Sequence, residues 1–263
     1  MRSLFTWILA AVLFVTPGIS DNKSLTVSSL NEALSAEKML VCLDKNTGEN
    51  MGGGSGSIIW SAVDREWLIL SAHHVVWGCE NSGGANFVFH EGEHLKLITV
   101  KLDAQHDLAL VKTEKVFKSA IKFFSLSLKE VIIADTVYTI GFPGPYRIGP
   151  DVIVTKGIVN SPLAKMHGCL LPKEGEPLIR LVWDCGQYSA VKTIILSVLL
   201  SDAQIGPGNS GGAIVNDSFE LIGVTVGGVS MANWRGFSVP LIYINDLLNS
   251  TEYSFLVGGN GGK

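Results

Sequence analysis

From residue 39 onwards the apolar positions fall in short runs that are separated by Gly, Asp and Asn. Short apolar runs with this punctuation predict β-strands. Many such runs without amphipathic helices between them predict an all-β sandwich or barrel. Glycine, with 29 residues, suits a protein of this turn-rich class. The predicted strands cover 39–43, 57–60, 67–70, 85–89, 95–101, 108–112, 136–140, 151–155, 178–183, 193–199, 213–215, 221–226 and 236–239.

Helical patterns occur only near the two ends of the chain. A short helix is predicted over residues 30–37, where Ser28 or Ser29 could cap it and Glu32 could complete a capping box with Ser29. A second helix is predicted over 240–250, with Pro240 at its first position. The stretch 115–132 is a plausible joint between two halves, and the glycine-rich tail at 251–263 is flexible by composition.

The first twenty residues have the pattern of a signal peptide. Arg2 precedes an apolar run at 4–15, which is shorter than the roughly 20 residues that a membrane helix needs. Small residues, Gly18 and Ser20, precede a polar stretch from residue 21. The prediction is a cleaved signal and a secreted or periplasmic protein without membrane association, its mature chain opening with an N-terminal segment at 21–37. An uncleaved anchor is the alternative.

Composition limits the partners that the protein can have. The formal net charge of −4 and the absence of a Lys/Arg cluster argue against binding nucleic acid. No CxxC pair occurs, so neither a metal nor a cofactor is expected. An even number of cysteines behind an export signal favours disulfides. Three pairings are possible, and sequence neighbours suggest that Cys42 joins Cys79 and that Cys169 joins Cys185.

The strongest chemical signal is the glycine-rich segment 206–212 (GPGNSGG). A serine hydroxyl is a weak nucleophile that needs a base and donors for the negative charge that forms on the substrate carbonyl. Glycines around Ser210 allow the backbone to bend sharply and leave N–H groups available as those donors. The alternative is a simple turn between two strands.

Two further signals are weaker when each is taken alone. His74 follows the apolar strand 67–70 directly, where a side chain with a pKa near neutrality is well placed to act as a general base. Asp107 opens the strand 108–112 and could orient an imidazole. The alternatives are a structural or exposed histidine and a solvated strand start.

Taken together, these segments resemble trypsin-like serine proteases. Residues 71–74 (SAHH) resemble the histidine motif, 107–110 (DLAL) the aspartate motif, and 201–212 (SDAQIGPGNSGG) the serine motif of the HtrA-like, or Deg-type, branch. The order His, Asp, Ser also matches that family. The resemblance covers about residues 38–247, and further matching segments are 54–59, 138–144, 154–159 and 236–240.

The resemblance implies two six-stranded antiparallel Greek-key barrels within a protease domain at 38–250. The barrels would cover about 38–125 and 130–240, with the active site between them and a protein or peptide as substrate. Ser210 would be the nucleophile, His74 rather than its neighbour His73 the base, and Asp107 the residue that orients the base. The oxyanion hole would consist of Gly208, Asn209 and Ser210.

By the same motif matching, the primary specificity pocket carries no charge. Gln204 and Ile205 would line its base, and Gly228 and Gly236 its walls. A charged substrate side chain would be buried there without a partner. We therefore expect cleavage after small or medium uncharged residues such as Val, Ala or Leu. The deeper pocket residues would be Thr225 and Ser238.

The chain also departs from the HtrA-like pattern. Gly206 stands where that branch usually has asparagine, Ala213 where it has proline, and no PDZ domain is recognisable after residue 250. The stretch 165–197 is longer than usual and is predicted to form a disulfide-pinned hairpin near the cleft. Asn209 replaces the aspartate that N-terminal zymogen activation requires. The competing hypotheses are a catalytically silent binding domain and a β-rich structural protein, and the oligomeric state stays open.

Overall fold

A computed structural model describes residues 26–61, 66–117, 119, 121–143, 151–172, 179–182, 192–229 and 235–251. The predicted signal peptide, most of the tail that was predicted to be flexible, and Cys185 lie outside these residues. Among the described helices, none is long and apolar enough to cross a membrane. The elements are α1 (Leu30–Ala36), β1 (Glu37–Asp44), β2 (Asn50–Ser61), β3 (Glu66–Ala72), α2 (His73–Asn81), β4 (Gly84–His90), β5 (Glu93–Asp103), β6 (Leu108–Thr113), β7 (Thr136–Gly141), β8 (Ile153–Pro172), β9 (Ile179–Val182), β10 (Lys192–Gln204), β11 (Ala213–Val215), β12 (Leu221–Val229), β13 (Arg235–Pro240) and α3 (Leu241–Asn249).

The first six strands form a closed antiparallel barrel in the order β1-β2-β3-β6-β5-β4. Its central strands are buried on both faces: Leu68, Ile69 and Leu70 in β3 have no exposed surface. A strand with this burial reads as a continuous apolar run instead of an alternating one. This explains why the residues of β3 were recognisable as a strand although they lack a period of two.

The second half is a seven-stranded sheet in the order β10-β13-β12-β11-β7-β8-β9. An additional pairing between β10 and β8 closes six of these strands into a ring, and β9 lies on the outer edge of β8. The prediction of an all-β protein with two six-stranded antiparallel sheets is therefore confirmed, as is the small helix at the C-terminal end. The segment between the halves buries Phe123 and Phe124.

Helix α2 is the element that the sequence analysis missed. The strand before it ends at Ala72, and the helix begins at His73 without a side-chain cap. Since the N-cap residue is Ala72 and not Ser, Thr, Asp or Asn, the local sequence does not predict that a helix begins here. Burial of Val75, Val76 and Trp77 against the rest of the protein stabilises it instead.

Several predicted boundaries were also wrong. Strand β8 continues from Ile153 to Pro172, far past the predicted end at 155, because its distal half pairs with β10 in a long antiparallel hairpin. Helix α1 is capped by Ser29, but Glu32 bonds to the backbone of Ser28, so the reciprocal capping box does not form. Pro240 is the N-cap of α3 and not its first helical residue.

A disulfide between Cys42 and Cys79 connects β1 to α2, as the sequence neighbours suggested. Cys169 is also disulfide-bonded. The predicted partner of Cys169, Cys185, lies outside the described residues.

We expect the double variant Cys42→Ala/Cys79→Ala to lose about 4 kcal/mol of unfolding free energy under non-reducing conditions. The bond closes a loop with a sequence separation of 37 residues, and loop entropy in the unfolded chain sets the size of the effect. Urea unfolding of the two oxidised proteins measures it. Equal stability of the variant and the wild-type protein would show that this disulfide does not constrain the fold.

Candidate active site

The side chain of His74 lies on the first turn of α2 and forms a close pair with Asp107. Nδ1 of His74 is 2.7 Å from Oδ2 of Asp107. The backbone N–H of His74 donates to the other carboxylate oxygen at 2.9 Å. Asp107 is 1% exposed, whereas the His74 side chain is 32% exposed. The pair therefore has a buried acidic end and an imidazole end that reaches the surface.

A tight turn before β6 aims the Asp107 carboxylate at this imidazole. Asp107 has a φ of +58°, a left-handed conformation that Asp and Asn tolerate better than other side chains. In the preceding turn, Asp103 accepts the N–H groups of Gln105 and His106 and lies 2.6 Å from Nδ1 of His106. Burial alone would raise the pKa of Asp103, but its hydrogen bonds and the charge of His106 outweigh burial and lower it.

His73 points in a different direction from its neighbour. It is fully buried, its ring stacks on Trp77 at 5.6 Å, and within the described residues its two ring nitrogens have no hydrogen-bond partner. Burial lowers its pKa, which favours the neutral ring. The prediction placed both histidines at a strand end, and they instead begin a helix, where successive side chains turn by about 100°.

The segment before Ser210 is a tight turn built on proline and glycine. The N–H of Asn209 donates to the carbonyl of Gly206 at 3.1 Å. Pro207 and Gly208 are its central residues, and Gly208 has a φ of +99°. A proline followed by a residue with positive φ matches a type II turn. Because its N–H donates inside this turn, that group is not available to a ligand, and the oxyanion hole at 208–210 stays a prediction in which Asn209 offers no free N–H.

Further hydrogen bonds fix the backbone on both sides of Ser210. Its carbonyl accepts the N–H of Ser55 at 2.8 Å, and the N–H of Gly211 donates to Thr225 at 2.7 Å. The N–H groups of Gly208 and Ser210 make no hydrogen bond within the part of the chain that the structure describes. These two donors remain available to a ligand.

His74 and Ser210 line one cavity of about 370 Å³, together with Pro207 and Gly208. The cavity wall also contains both cysteines of the disulfide that joins β1 to α2. The structure thus brings the predicted histidine, serine and Gly208 to one open space, with Asp107 behind the imidazole.

Five of the six predicted specificity residues fall into two groups. Gly236 pairs with Gly228, and a Cβ on Gly236 would lie 3.2 Å from Ile205, so these three residues adjoin one another. Thr225 and Ser238 are buried, with hydroxyls 3.5 Å apart.

Gln204 lies elsewhere. It lines a separate surface cavity of about 530 Å³ together with Thr155 and Asp202. The hydroxyl of Thr155 donates to the Gln204 carbonyl at 2.6 Å.

Sequence reasoning missed two buried polar residues beside Ser210. Ser55 was noticed only as part of a matching segment. Glu37 looked like the solvated end of a short helix, yet it is 1% exposed. One of its oxygens accepts Ser57 Oγ at 2.9 Å and the N–H of Ala213 at 3.3 Å, while the other has no partner among the described residues. Burial raises the pKa of Glu37 well above its ordinary value.

Comparisons with known proteins identify the family and the fold. The pattern of the family described as "Trypsin-like peptidase domain" matches residues 54–224. "Serine protease PepD" of Mycobacterium tuberculosis is 31% identical over 192 residues, covering 70% of this chain and 36% of that protein. "Serine protease HtrA-like" of Staphylococcus haemolyticus is 24% identical over 251 residues, and the match covers 89% of this chain and 36% of that protein. A Haemophilus influenzae relative described as a periplasmic serine protease is 30% identical and covers 72% and 34%.

Solved structures show the same fold. A serine endoprotease from Yersinia pestis superimposes with a TM-score of 0.58 at 23% identity, covering 85% of this chain and 66% of that one. A protease from M. tuberculosis in its active form superimposes with a TM-score of 0.62 at 16% identity, and the match covers 89% of this chain and 92% of that one. The chain belongs to the trypsin-like peptidase domain family. It spans less than half the length of the curated relatives it matches.

The buried Glu37 makes stability depend on pH. A carboxyl group with a raised pKa keeps its proton in the native state, while the unfolded chain releases it near pH 4.5. Stability therefore falls as pH rises from about 5 towards the raised pKa. Glutamine at this position would keep an acceptor for Ser57 and Ala213 without titrating. We expect the stability margin of Glu37→Gln over wild type to increase as pH rises above about 5.

Urea unfolding at several pH values measures this margin. Glu49→Gln, at an exposed position, is the control and should follow the wild-type curve. A margin for Glu37→Gln that stays constant with pH would contradict a raised pKa at Glu37.

Proposed function

We propose that the protein is a serine endopeptidase in which Ser210 is the nucleophile, His74 the general base and Asp107 the residue that orients the base. The observation that carries the proposal is the 2.7 Å pair between His74 and Asp107, whose imidazole lines the same cavity as Ser210. Membership of the trypsin-like peptidase family supports the reaction class.

The chemistry follows from which atoms are already engaged. With the Nδ1 proton of His74 held by Asp107, Nε2 carries the lone pair and accepts the proton of Ser210 as Oγ attacks the substrate carbonyl. The N–H groups of Gly208 and Ser210 stabilise the oxyanion that forms. The protonated His74 then gives its proton to the leaving amine, and an acyl-enzyme remains. A water molecule then attacks the acyl-enzyme while His74 takes a proton from that water. His74 passes the proton to Oγ of Ser210, and the acid product and the free serine result.

The substrate is a protein or peptide, and the protein acts outside the cytoplasm after the signal peptide at 1–20 is removed. A relative described as periplasmic supports this location. Ile205, Gly228 and Gly236 are themselves uncharged, which supports cleavage after small or medium uncharged residues, because a buried charge would have no partner among these three residues.

Ser210→Ala should abolish peptide hydrolysis and labelling by a fluorophosphonate probe while leaving the fold intact. Losing the nucleophile of a triad lowers turnover on the order of a millionfold. His74→Ala should be nearly as severe. His73→Ala should lose stability, because the ring packs on Trp77, but keep activity per folded molecule.

Circular dichroism establishes the folded fraction of each variant. Activity that depends on His73 and survives loss of His74 would reverse the assignment of the base. A wild-type protein that folds but reacts with neither peptide nor probe would instead support the silent binding domain.

Cleavage of a peptide library should give products that end mainly in Val, Ala or Leu. Mass spectrometry of the fragments identifies the residue before each cut. Ser210→Ala protein, prepared in parallel, controls for contaminating proteases. A profile dominated by Arg and Lys, or by Asp and Glu, would refute an uncharged pocket.

A further inference from the structure

Ser55 makes more contacts with the Ser210 loop than its place in the other barrel suggests. It lies in β2 with no exposed surface. Its N–H donates to the carbonyl of Ser210 at 2.8 Å. Its hydroxyl donates to the carbonyl of Gly208 at 2.8 Å and accepts the N–H of Phe142 at 2.9 Å. One buried residue therefore joins three points of the second half.

The side chain of Ser55 makes two hydrogen bonds that its backbone cannot supply. Any residue other than proline would supply the N–H that holds Ser210. A hydroxyl can donate to Gly208 and accept from Phe142 with the same atom, and a thiol does so only weakly. Alanine at this position would leave both groups, which are part-buried, without their partner, and the loss of a hydrogen-bond partner away from bulk water is destabilising.

These bonds also determine which N–H groups of the loop remain available to a ligand. The peptide between Gly208 and Asn209 has its carbonyl held by Ser55 and its N–H held by Gly206. The carbonyl of Asn209 accepts Gly212 at 2.9 Å. With these groups fixed, the N–H groups of Gly208 and Ser210 are the donors that remain.

We propose that Ser55 is the positioning residue of the oxyanion hole, and this inference rests on the proposed function. Its hydroxyl anchors the Gly208 carbonyl and, together with the turn bond from the Asn209 N–H to Gly206, restricts the backbone angles of Gly208. Glycine populates positive and negative φ about equally readily, so without that anchor Gly208 is freer to leave the turn conformation in which its N–H is available to a ligand. Ser55 itself does not touch the substrate.

The test compares Ser55→Ala with Ser57→Ala. Ser57 lies two residues further along β2, is equally buried and also loses a side-chain hydrogen bond, but its hydroxyl bonds to Glu37. Removing one direct oxyanion donor costs about 10²- to 10³-fold in kcat. An indirect effect should be smaller, so we expect Ser55→Ala to lower kcat about 10- to 100-fold.

Other readouts separate positioning from a general loss of structure. In Ser55→Ala the KM should change less than about twofold, because binding before the reaction does not use the oxyanion hole. The midpoint of the pH–rate profile should stay in place, because His74 and Asp107 are untouched. Ser57→Ala should lose stability while keeping the wild-type kcat per folded molecule. Ser55→Cys, with a weaker donor of similar size, should give an intermediate kcat. It takes the place of the alanine variant in the test if that variant does not fold.

The outcomes are distinct. If wild type is active and Ser55→Ala and Ser55→Cys keep its kcat, or lose no more than Ser57→Ala, the inference about Ser55 is wrong and the proposed function stands. If folded wild-type protein neither hydrolyses peptides nor reacts with a fluorophosphonate, the proposed function fails and the inference fails with it.

Discussion

The candidate site depends on a buried polar seam between the two barrels. His74 and Asp107 belong to the first barrel and Ser210 to the second, so their geometry is only as fixed as the contact between the halves. Ser55 holds the carbonyls of Gly208 and Ser210 from the first barrel. Two positions along the same face of that strand, Ser57 holds Glu37. In a water-excluded interior such bonds are strong and their loss is expensive.

Glycine allows the seam to close. A Cβ at Gly54 would lie 2.7 Å from the carbonyl oxygen of Ser210, closer than real Cβ atoms come. A Cβ at Gly211 would collide with the carbonyl of Ser55, and Gly211 also has a φ of +90°. The glycines before and after the nucleophile therefore have different uses. Gly208 shapes the turn that presents N–H groups, whereas Gly211 lets β2 approach the backbone.

Much of the fold could be predicted because strands in a two-barrel protein leave local signals. Apolar runs such as 108–112 mark a buried strand without any knowledge of its partners. The motifs around His74, Asp107 and Ser210 could be found because triad chemistry restricts residue type and order. Their mutual distances could not be predicted from the sequence, since the residues come from different elements.

The features that sequence reasoning missed depend on tertiary contacts. Helix α2 has no capping residue and owes its stability to packing. Glu37 has the residue type of a surface position, and its bonds to Ser57 and to Ala213 of the other barrel belong to a buried site. In both cases the partners that decide the structure lie outside the local segment.

The turn that carries Asp107 has a second support, which comes from the C-terminal helix. A left-handed φ at Asp107 carries a strain of about 1 kcal/mol, which the surrounding turn must offset. Asp103 and His106 form that turn, and the ring of His106 stacks on Tyr243 of α3 at 4.0 Å. The N–H of Ser197 donates to the hydroxyl of Tyr243 at 3.3 Å. The C-terminal helix thus braces the Asp107 turn against a strand of the second barrel. Ser55 fixes the serine side of the site and this stack fixes the acid side, so both halves of the geometry are held by contacts that cross between the barrels.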